Sequence, residues 1–184
     1  FIGTDVSGLV DRGNGNNGIF VSYAGMNVIG TDGDGLSDEA ERNVVSANRL
    51  NGVTITNADE NVVAGNFIGT DASGVLPLGN TWYGVRIDDG ASGNLTGTNG
   101  DGESDEAERN IISDNGRDGI TITGTNTNDN VVAGNYIGTD VTGSVVMGNG
   151  SVVDDDGVSI AEGAQNNVIG TDSATPNVVE RNVI

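Results

Sequence analysis

Short apolar segments recur along the whole chain, and glycine, asparagine and aspartate separate them. In one set, apolar and polar residues alternate directly after a glycine, so that Val53 and Ile55 flank Thr54. A period of two is typical of a β-strand with one buried face, and we expect Val53 and Ile55 to point inward and Thr54 outward. The same alternation predicts that Arg86 and Thr121 point outward. The members of this set begin at Gly18, Gly52, Gly84, Gly119 and Gly157.

Two further sets of strands begin at polar corners, nearly all of them asparagines. One set begins at Asn27, Asn61, Asn94, Asn130 and Asn167. The other begins at Phe1, Asn43, Asn66, Asn110, Asn135 and Asn182. Three short strands per unit, with like strands in register from unit to unit, are typical of a parallel β-helix. We therefore predict an all-β solenoid of about five coils in a single domain over residues 1–184, with coils starting near residues 27, 61, 94, 130 and 167.

The asparagines at the corners are expected to have a structural role, because stacked asparagine side chains can bond their amides from coil to coil. Successive coils also alternate between two forms. In one form about a dozen residues are inserted between the first and second strands, as in residues 30–43; in the other the insertion follows the second strand, as in residues 72–83. Two coils therefore form a superrepeat of 67 to 73 residues.

The motif NVVxGNxIGTDxxG, followed by GN and then GVxI, occurs at residues 61–74 and 130–143. In this motif the chain resembles the right-handed parallel β-helix repeat proteins found as large surface and secreted proteins of bacteria. The resemblance covers nearly the whole chain and implies a right-handed parallel β-helix. It implies little about function, because this fold carries lyases, hydrolases, adhesins and inert spacers.

An acidic loop punctuated by glycines occurs twice, as GTDGDGLSDEAERN at residues 30–43 (loop 1) and GTNGDGESDEAERN at residues 97–110 (loop 2). Counted from Gly30 or Gly97, position 6 is glycine and positions 3, 5, 9 and 12 carry side-chain oxygens, which is the spacing of an EF-hand-type calcium loop. The predicted calcium ligands of loop 1 are Asp32, Asp34, the carbonyl of Leu36, Asp38 and Glu41. Those of loop 2 are Asn99, Asp101, the carbonyl of Glu103, Asp105 and Glu108. The loops also resemble the DxDGLSDxxE loops of thrombospondin type 3-like repeats, a resemblance that implies calcium binding.

The loops depart from the calcium-binding pattern at position 1, where glycine stands in place of an acid, so water or an adjacent coil would have to supply that ligand. A third loop, residues 170–182, is one residue shorter and has Ala174 and Thr175 in place of the Asp and Gly; we expect it to bind no ion. The alternative for loops 1 and 2 is a solvated acidic turn in which Glu41 or Glu108 pairs with a nearby arginine. Repulsion among the clustered carboxylates favours the cation.

Composition narrows the classes of partner. The formal net charge is −20, from 27 acidic residues against seven arginines, and the chain has no lysine, histidine or cysteine. Such a surface repels phosphate backbones and anionic lipids, so we expect no binding to nucleic acids and no insertion into membranes. Disulfides, thiolate metal sites and histidine metal ligands are excluded by composition.

We expect no enzymatic activity. The acid pairs at residues 86–90 and 154–157 are the candidates for glycoside hydrolysis, but neither has an independent second acid at a predictable distance. Trp82 and Tyr83 are the candidate surface for stacking on sugar rings; alternatively, they cover the flank of the rod beneath their own loop.

The sequence thus favours a calcium-stabilised structural or interaction module of an extracellular, cell-surface repeat protein, serving as a stalk, fibre or adhesin segment. The alternative is a non-catalytic or degenerate polysaccharide-binding or polysaccharide-processing β-helix, with surface glycans as partners. The chain begins and ends inside second strands, at Phe1 and Ile184, without polar capping sequences. The expected partners are therefore neighbouring repeats of the same protein or copies stacked end to end.

Overall fold

The structure is a computed structural model that describes residues 1–150, 154–170 and 178–184. Its strands, in chain order, are β1 (Ile19–Ser22), β2 (Val28–Gly30), β3 (Val44–Val45), β4 (Val53–Thr56), β5 (Val62–Ala64), β6 (Phe67–Ile68), β7 (Val85–Asp88), β8 (Leu95–Gly97), β9 (Ile111–Ile112), β10 (Ile120–Thr123), β11 (Val131–Ala133), β12 (Tyr136–Ile137), β13 (Val158–Ala161) and β14 (Val168–Ile169). One short α-helix, α1 (Asp38–Glu41), and one 3₁₀ turn (Val178–Glu180) complete the secondary structure of the described residues.

The strands form three parallel sheets that wind into a β-solenoid. Sheet 1 has the order β2-β5-β8-β11-β14, sheet 2 the order β3-β6-β9-β12, and sheet 3 the order β1-β4-β7-β10-β13. Isolated bridges from Ile2 to Val45 and from Tyr136 to Val183 extend sheet 2. Because five stacked strands are separated by four turns, the described chain makes about four turns. The prediction of an all-β parallel solenoid with three short strands per coil is confirmed.

The core of the solenoid is built from columns of aliphatic side chains, one residue per coil. In sheet 3, β4, β7 and β10 align Val53 with Val85 and Ile120. The next inward position aligns Ile55 with Ile87. The inward residues of these strands are all 0% exposed: Val53, Ile55, Val85, Ile87, Ile120 and Ile122. The predicted inward face is therefore confirmed.

The outward face of sheet 3 differs from the prediction in one respect. Thr54 and Thr121 were expected to face solvent, but they are only 4% and 5% exposed. Both flank the longer Arg86 in the same column, and the Asn51 side chain donates a hydrogen bond of 2.9 Å to the Thr54 hydroxyl. Thr54 lies between the longer Phe20 and Arg86 on the adjacent strands, and Thr121 lies between Arg86 and Ser159, so Arg86 is the long neighbour that both threonines share on the outer face of the sheet.

Asparagine ladders connect the coils at their corners, as predicted. In the ladder before sheet 1, the side-chain amide of Asn61 donates to Oδ1 of Asn94 at 3.0 Å, and the Asn94 amide donates to Oδ1 of Asn130 at 2.9 Å. The same oxygen of Asn94 also accepts the backbone amide of Asn61 at 2.9 Å. The ladder before sheet 2 joins Asn43, Asn66, Asn110, Asn135 and Asn182 in the same way.

A third ladder, which the sequence analysis did not identify, precedes sheet 3. It joins Asn14, Asn48, Asn80, Asn115 and Asn149 with side-chain hydrogen bonds of 2.8 to 3.0 Å. In alternate coils the sequence signal was the GN that follows the GTDxxG turn, at Asn14, Asn80 and Asn149, whereas Asn48 and Asn115 follow Ala47 and Asp114 and carry no such signal. All three corners of the solenoid therefore carry the same device, and in each ladder the N-terminal coil donates to the next coil.

Candidate metal centre in the long loops

Loops 1 and 2 both connect a strand of sheet 1 to a strand of sheet 2. Loop 1 joins β2 to β3, loop 2 joins β8 to β9, and the intervening coil passes directly from β5 to β6. That direct turn contains Gly65, whose amide donates to the Glu108 carbonyl at 2.7 Å. A Cβ atom on Gly65 would lie 2.7 Å from the Ala107 carbonyl oxygen and 2.8 Å from Cγ2 of Thr31. The two long loops therefore enclose the short turn and approach each other.

Loop 1 brings three of its predicted ligands together. Asp32, Asp34 and Asp38 each offer a carboxylate oxygen, and these oxygens all lie within 4.8 Å of one another. The loop holds this arrangement with its own backbone: the Asp34 amide donates to Asp32 at 3.3 Å, and the Leu36 amide donates to Asp34 at 2.8 Å. Two carboxylates this close repel by about 1–3 kcal/mol at effective dielectric constants of ~80 to ~20. A divalent cation among them would relieve that repulsion.

Asp38 shows that the cluster is more than an acidic surface turn. It is the first residue of α1 and is only 8% exposed, whereas Asp32 and Asp34 are exposed. Within the described part of the chain, Oδ1 of Asp38 has no hydrogen-bond partner. A buried carboxylate oxygen without a partner is costly unless a cation or a donor approaches it. Asp38 therefore contributes both a carboxylate to the cluster and an oxygen without a partner, which together favour a cation in loop 1.

Loop 2 has nearly the same sequence but satisfies its own carboxylate. Asp105, which corresponds to Asp38, accepts the Thr98 hydroxyl at 2.8 Å and the Gly102 amide at 3.4 Å. Asn99 and Asp101 accept backbone amides at 2.8 Å, as their counterparts in loop 1 do. Because Asn99 replaces Asp32, loop 2 offers only two carboxylates at positions 3, 5 and 9, and among the described residues the cluster of three acidic side chains is found in loop 1. Loop 1 is therefore the stronger candidate for a cation site, by its charge and by the unpartnered oxygen of Asp38.

The glutamates at position 12 do not join the cluster of three carboxylates. Oε2 of Glu41 accepts the Asp32 amide at 3.2 Å, and Oε2 of Glu108 accepts the Asn99 amide at 3.0 Å. Burial raises the pKa of the Glu108 carboxyl above its usual value; the Thr98 hydroxyl and then the Asn99 amide oppose this shift, and the charges of Asp101 and Asp105 add to it. Each glutamate thus connects the end of its own loop to the beginning of that loop.

The two predicted carbonyl ligands at position 7 both belong to exposed residues. Leu36 lies at the exposed tip of loop 1, and Glu103 is exposed in loop 2.

The arginines that follow these glutamates do not pair with them. The guanidinium carbon of Arg42 lies 4.4 Å from the centre of the Phe67 ring, and that of Arg109 lies 4.3 Å from the centre of the Tyr136 ring. Their Nε atoms donate to the carbonyls of Gly65 and Gly134 at 3.0 and 2.9 Å. The one ion pair among the described residues joins Arg86 to Asp88. The arginine of the ERN motif thus binds the backbone and an aromatic ring of the next coil. The solvated-turn alternative required an ion pair between Glu41 or Glu108 and an arginine, and neither pair is found among the described residues.

The aromatic pair proposed for sugar stacking does not form a flat platform. The ring planes of Trp82 and Tyr83 are 84° apart, with centroids separated by 6.4 Å. Arg117 lies 5.4 Å from the Trp82 ring centre, and Arg86 lies 5.7 Å from that of Tyr83. Trp82 is still 41% exposed. Both rings are therefore partly engaged by cations of their own chain.

Residues 171–177 of the third loop, including Ala174 and Thr175, lie outside the described residues, so its predicted lack of a site stays a prediction. Across residues 1–150, 154–170 and 178–184, no helix combines the length and hydropathy needed to cross a membrane. Comparisons of the chain with models of protein families, with curated proteins and with solved structures found no match.

Proposed function

We propose that this chain is a structural module of an extracellular repeat protein, a β-solenoid spacer that a calcium ion in loop 1 stiffens. The solenoid supplies a rod in which each coil rests on the next through three asparagine ladders. Such a rod suits a stalk, a fibre or an adhesin segment, with neighbouring repeats or further copies as its partners. Calcium would add rigidity where the backbone leaves the ladders, in the long loop.

The observation that carries this proposal is the orphan oxygen of Asp38 in the loop 1 cluster. Calcium suits the site because it takes six to eight oxygen ligands in flexible geometry and tolerates water in the remaining positions. The side chains of Asp32, Asp34 and Asp38 would hold the ion. Loop 2 is a weaker candidate, because the Thr98 hydroxyl already occupies Asp105.

The composition of the site supports the extracellular assignment. Three carboxylates on an exposed loop with glycine at position 1 resemble low-affinity sites, whose dissociation constants lie at about 10⁻⁴–10⁻³ M in extracellular modules. An ion bound with that affinity is retained only where calcium is abundant.

Thermal unfolding with and without calcium tests the proposal. At a Kd of about 0.1 mM, 10 mM calcium is about 100 times Kd and stabilises the folded state by about 2.7 kcal/mol. For a chain of this length the melting temperature should rise by about 5–10 °C relative to EDTA. In the variant Asp38→Asn, calcium should raise the melting temperature much less than in the wild type. In EDTA this variant should melt no lower than the wild type, because the substitution removes a buried charge.

The matched control is Asp105→Asn in loop 2, since an asparagine oxygen can still accept the Thr98 hydroxyl. This variant should keep the response to calcium. A melting temperature of the wild type that does not depend on calcium would refute the proposal, and loss of the response in Asp105→Asn alone would move the site to loop 2.

A further inference from the structure

A side chain of loop 2 reaches the candidate site in loop 1. Glu108 is only 4% exposed, and a Cβ atom on Gly33 would lie 2.3 Å from its Oε1. Gly33 stands between the candidate ligands Asp32 and Asp34, and its backbone φ is +72°. A side chain at Gly33 would displace this carboxylate from its present position and would be strained by the positive φ. While Oε1 faces Gly33, Oε2 accepts the Asn99 amide of loop 2 at 3.0 Å, so a single carboxylate contacts both long loops.

The same contact recurs one superrepeat later, between a different pair of loops. A Cβ atom on Gly100, the counterpart of Gly33, would lie 2.8 Å from the carboxyl carbon of Glu180 and 3.1 Å from its Oε2. The backbone register repeats as well: the amides of Gly65 and Gly134 donate to the carbonyls of Glu108 and Glu180 at 2.7 and 2.8 Å. The contact is therefore a property of the stacked repeat and not of one loop.

We infer that Glu108 is a positioning residue for the calcium ion of loop 1, acting from the next long loop. The inference rests on the proposed calcium site. The carboxylate supports the Gly33 segment that carries Asp32 and Asp34, and it places one more negative charge near the ion without belonging to the cluster of ligands. Loop 1 would then depend on the glutamate of the long loop that follows it, and the contact between Gly100 and Glu180 repeats the arrangement for loop 2.

Calcium titration of Glu108→Gln tests this inference. All variants carry Asp101→Asn, so that the measured affinity reports loop 1. Glutamine keeps the shape and the acceptor for the Asn99 amide and removes only the charge. A unit charge about 6–8 Å from a divalent ion in a water-like medium contributes about five- to tenfold to its affinity, and we expect a loss of that order. A merely structural role predicts a lower melting temperature in EDTA; we expect that temperature to be unchanged or higher, because a buried charge is removed.

Glu106→Gln is the matched control, since it removes one charge from an exposed position in the same loop. It should change the affinity less than twofold. Glu108→Asp keeps the charge but has a shorter side chain, so its carboxylate lies farther from Gly33, and it should recover part of the calcium affinity that Glu108→Gln loses. If Glu108→Gln folds poorly, the affinity of Glu108→Asp relative to the parent tests the inference. Equal affinities of Glu108→Gln and the parent would overturn the inference and leave the calcium site intact. No calcium binding by the parent would overturn both.

Discussion

Thr96 places an unpaired hydroxyl in the hydrophobic core. The residue is 0% exposed, and its partners on the adjacent strands of sheet 1 are Val63 and Val132. Within the described part of the chain, Oγ1 of Thr96 has no hydrogen-bond partner. Valine has nearly the same shape as threonine and would continue the aliphatic column. We predict that Thr96→Val increases the free energy of unfolding.

The expected gain follows from the burial of this side chain. A buried polar group without a partner costs about 1–3 kcal/mol, and that cost disappears with the hydroxyl. The new methyl group adds up to about 0.8 kcal/mol of hydrophobic transfer energy if it is fully buried. We expect a net stabilisation of about 1–3 kcal/mol, because the neighbouring valines must adjust slightly. For a chain of this length the melting temperature should rise by about 3–10 °C.

Thr127→Val makes the same chemical change where the hydroxyl is satisfied. Thr127 is also 0% exposed, but its hydroxyl donates to the Thr123 carbonyl at 2.8 Å and accepts the Gly90 amide at 3.0 Å. This variant should lose about 1–3 kcal/mol, because it leaves both partners without a bond. Urea denaturation with linear extrapolation measures both changes. If Thr96→Val were as destabilising as Thr127→Val, the hydroxyl of Thr96 would have to be paired, and the reasoning would fail.

Two further substitutions test the corners and turns. The Asn110 side-chain amide donates to Oδ1 of Asn135 at 2.9 Å and to the Val63 carbonyl at 2.8 Å. Asn110→Asp places a buried anion opposite these two acceptors and should lower the free energy of unfolding by about 3–5 kcal/mol at pH 7. The loss should be smaller in acid, where the new carboxyl is protonated, and urea denaturation at both pH values measures the difference. An equal loss of stability at both pH values would show that the charge of the introduced carboxylate is not the cause. The Thr142 hydroxyl and, to a smaller extent, the Val145 and Ser144 amides donate hydrogen bonds to Asp140 and lower the pKa of its carboxyl below the usual 3.8. The ionised Asp140 therefore stabilises the folded state above pH 3.8, and this contribution is lost as the pH falls through the lowered pKa. Asp140→Asn should therefore flatten the acid limb of an unfolding curve recorded from pH 5 to pH 2; an unchanged limb would assign the acid sensitivity to other groups.

The sequence was sufficient to place the strands because each one begins at a marked corner. Glycine or asparagine at the corner and a period of two after it fix both the boundaries and the buried face, as at Val53 and Ile55. The alternation could not show that Thr54 is covered. Its burial depends on Arg86 and on the Asn51 side chain, and neither contact can be read from the strand itself.

The candidate site was less predictable than the fold. Loop spacing identified the residues that come together in loop 1, but it treated loop 2 as equivalent. The loops differ at position 3, where Asn99 replaces Asp32, and in the bonds of the acid at position 9: the Thr98 hydroxyl and the Gly102 amide donate to Asp105, whereas Oδ1 of Asp38 has no partner within the described part of the chain. The contact of Glu108 with Gly33 was also out of reach, because it joins residues of different coils and depends on how the long loops stack.

The asparagine ladders have an electrical consequence for the solenoid. In each ladder the bonds from one asparagine side chain to the next all run toward the C-terminal coil, from Asn14 through Asn48 to Asn80, for example, while the second N–H of most ladder amides donates to a carbonyl of the preceding coil, as Asn110 does to Val63. The dipoles of the asparagine-to-asparagine bonds therefore point the same way along the axis and add, as peptide dipoles do in an α-helix. Hydrogen bonds in such chains polarise one another by about 10–30% per bond. A bond within the run is thus strengthened by neighbours on both sides, and a single interruption weakens chiefly the links next to it. Resistance to unwinding should therefore be greatest in the middle coils of the column.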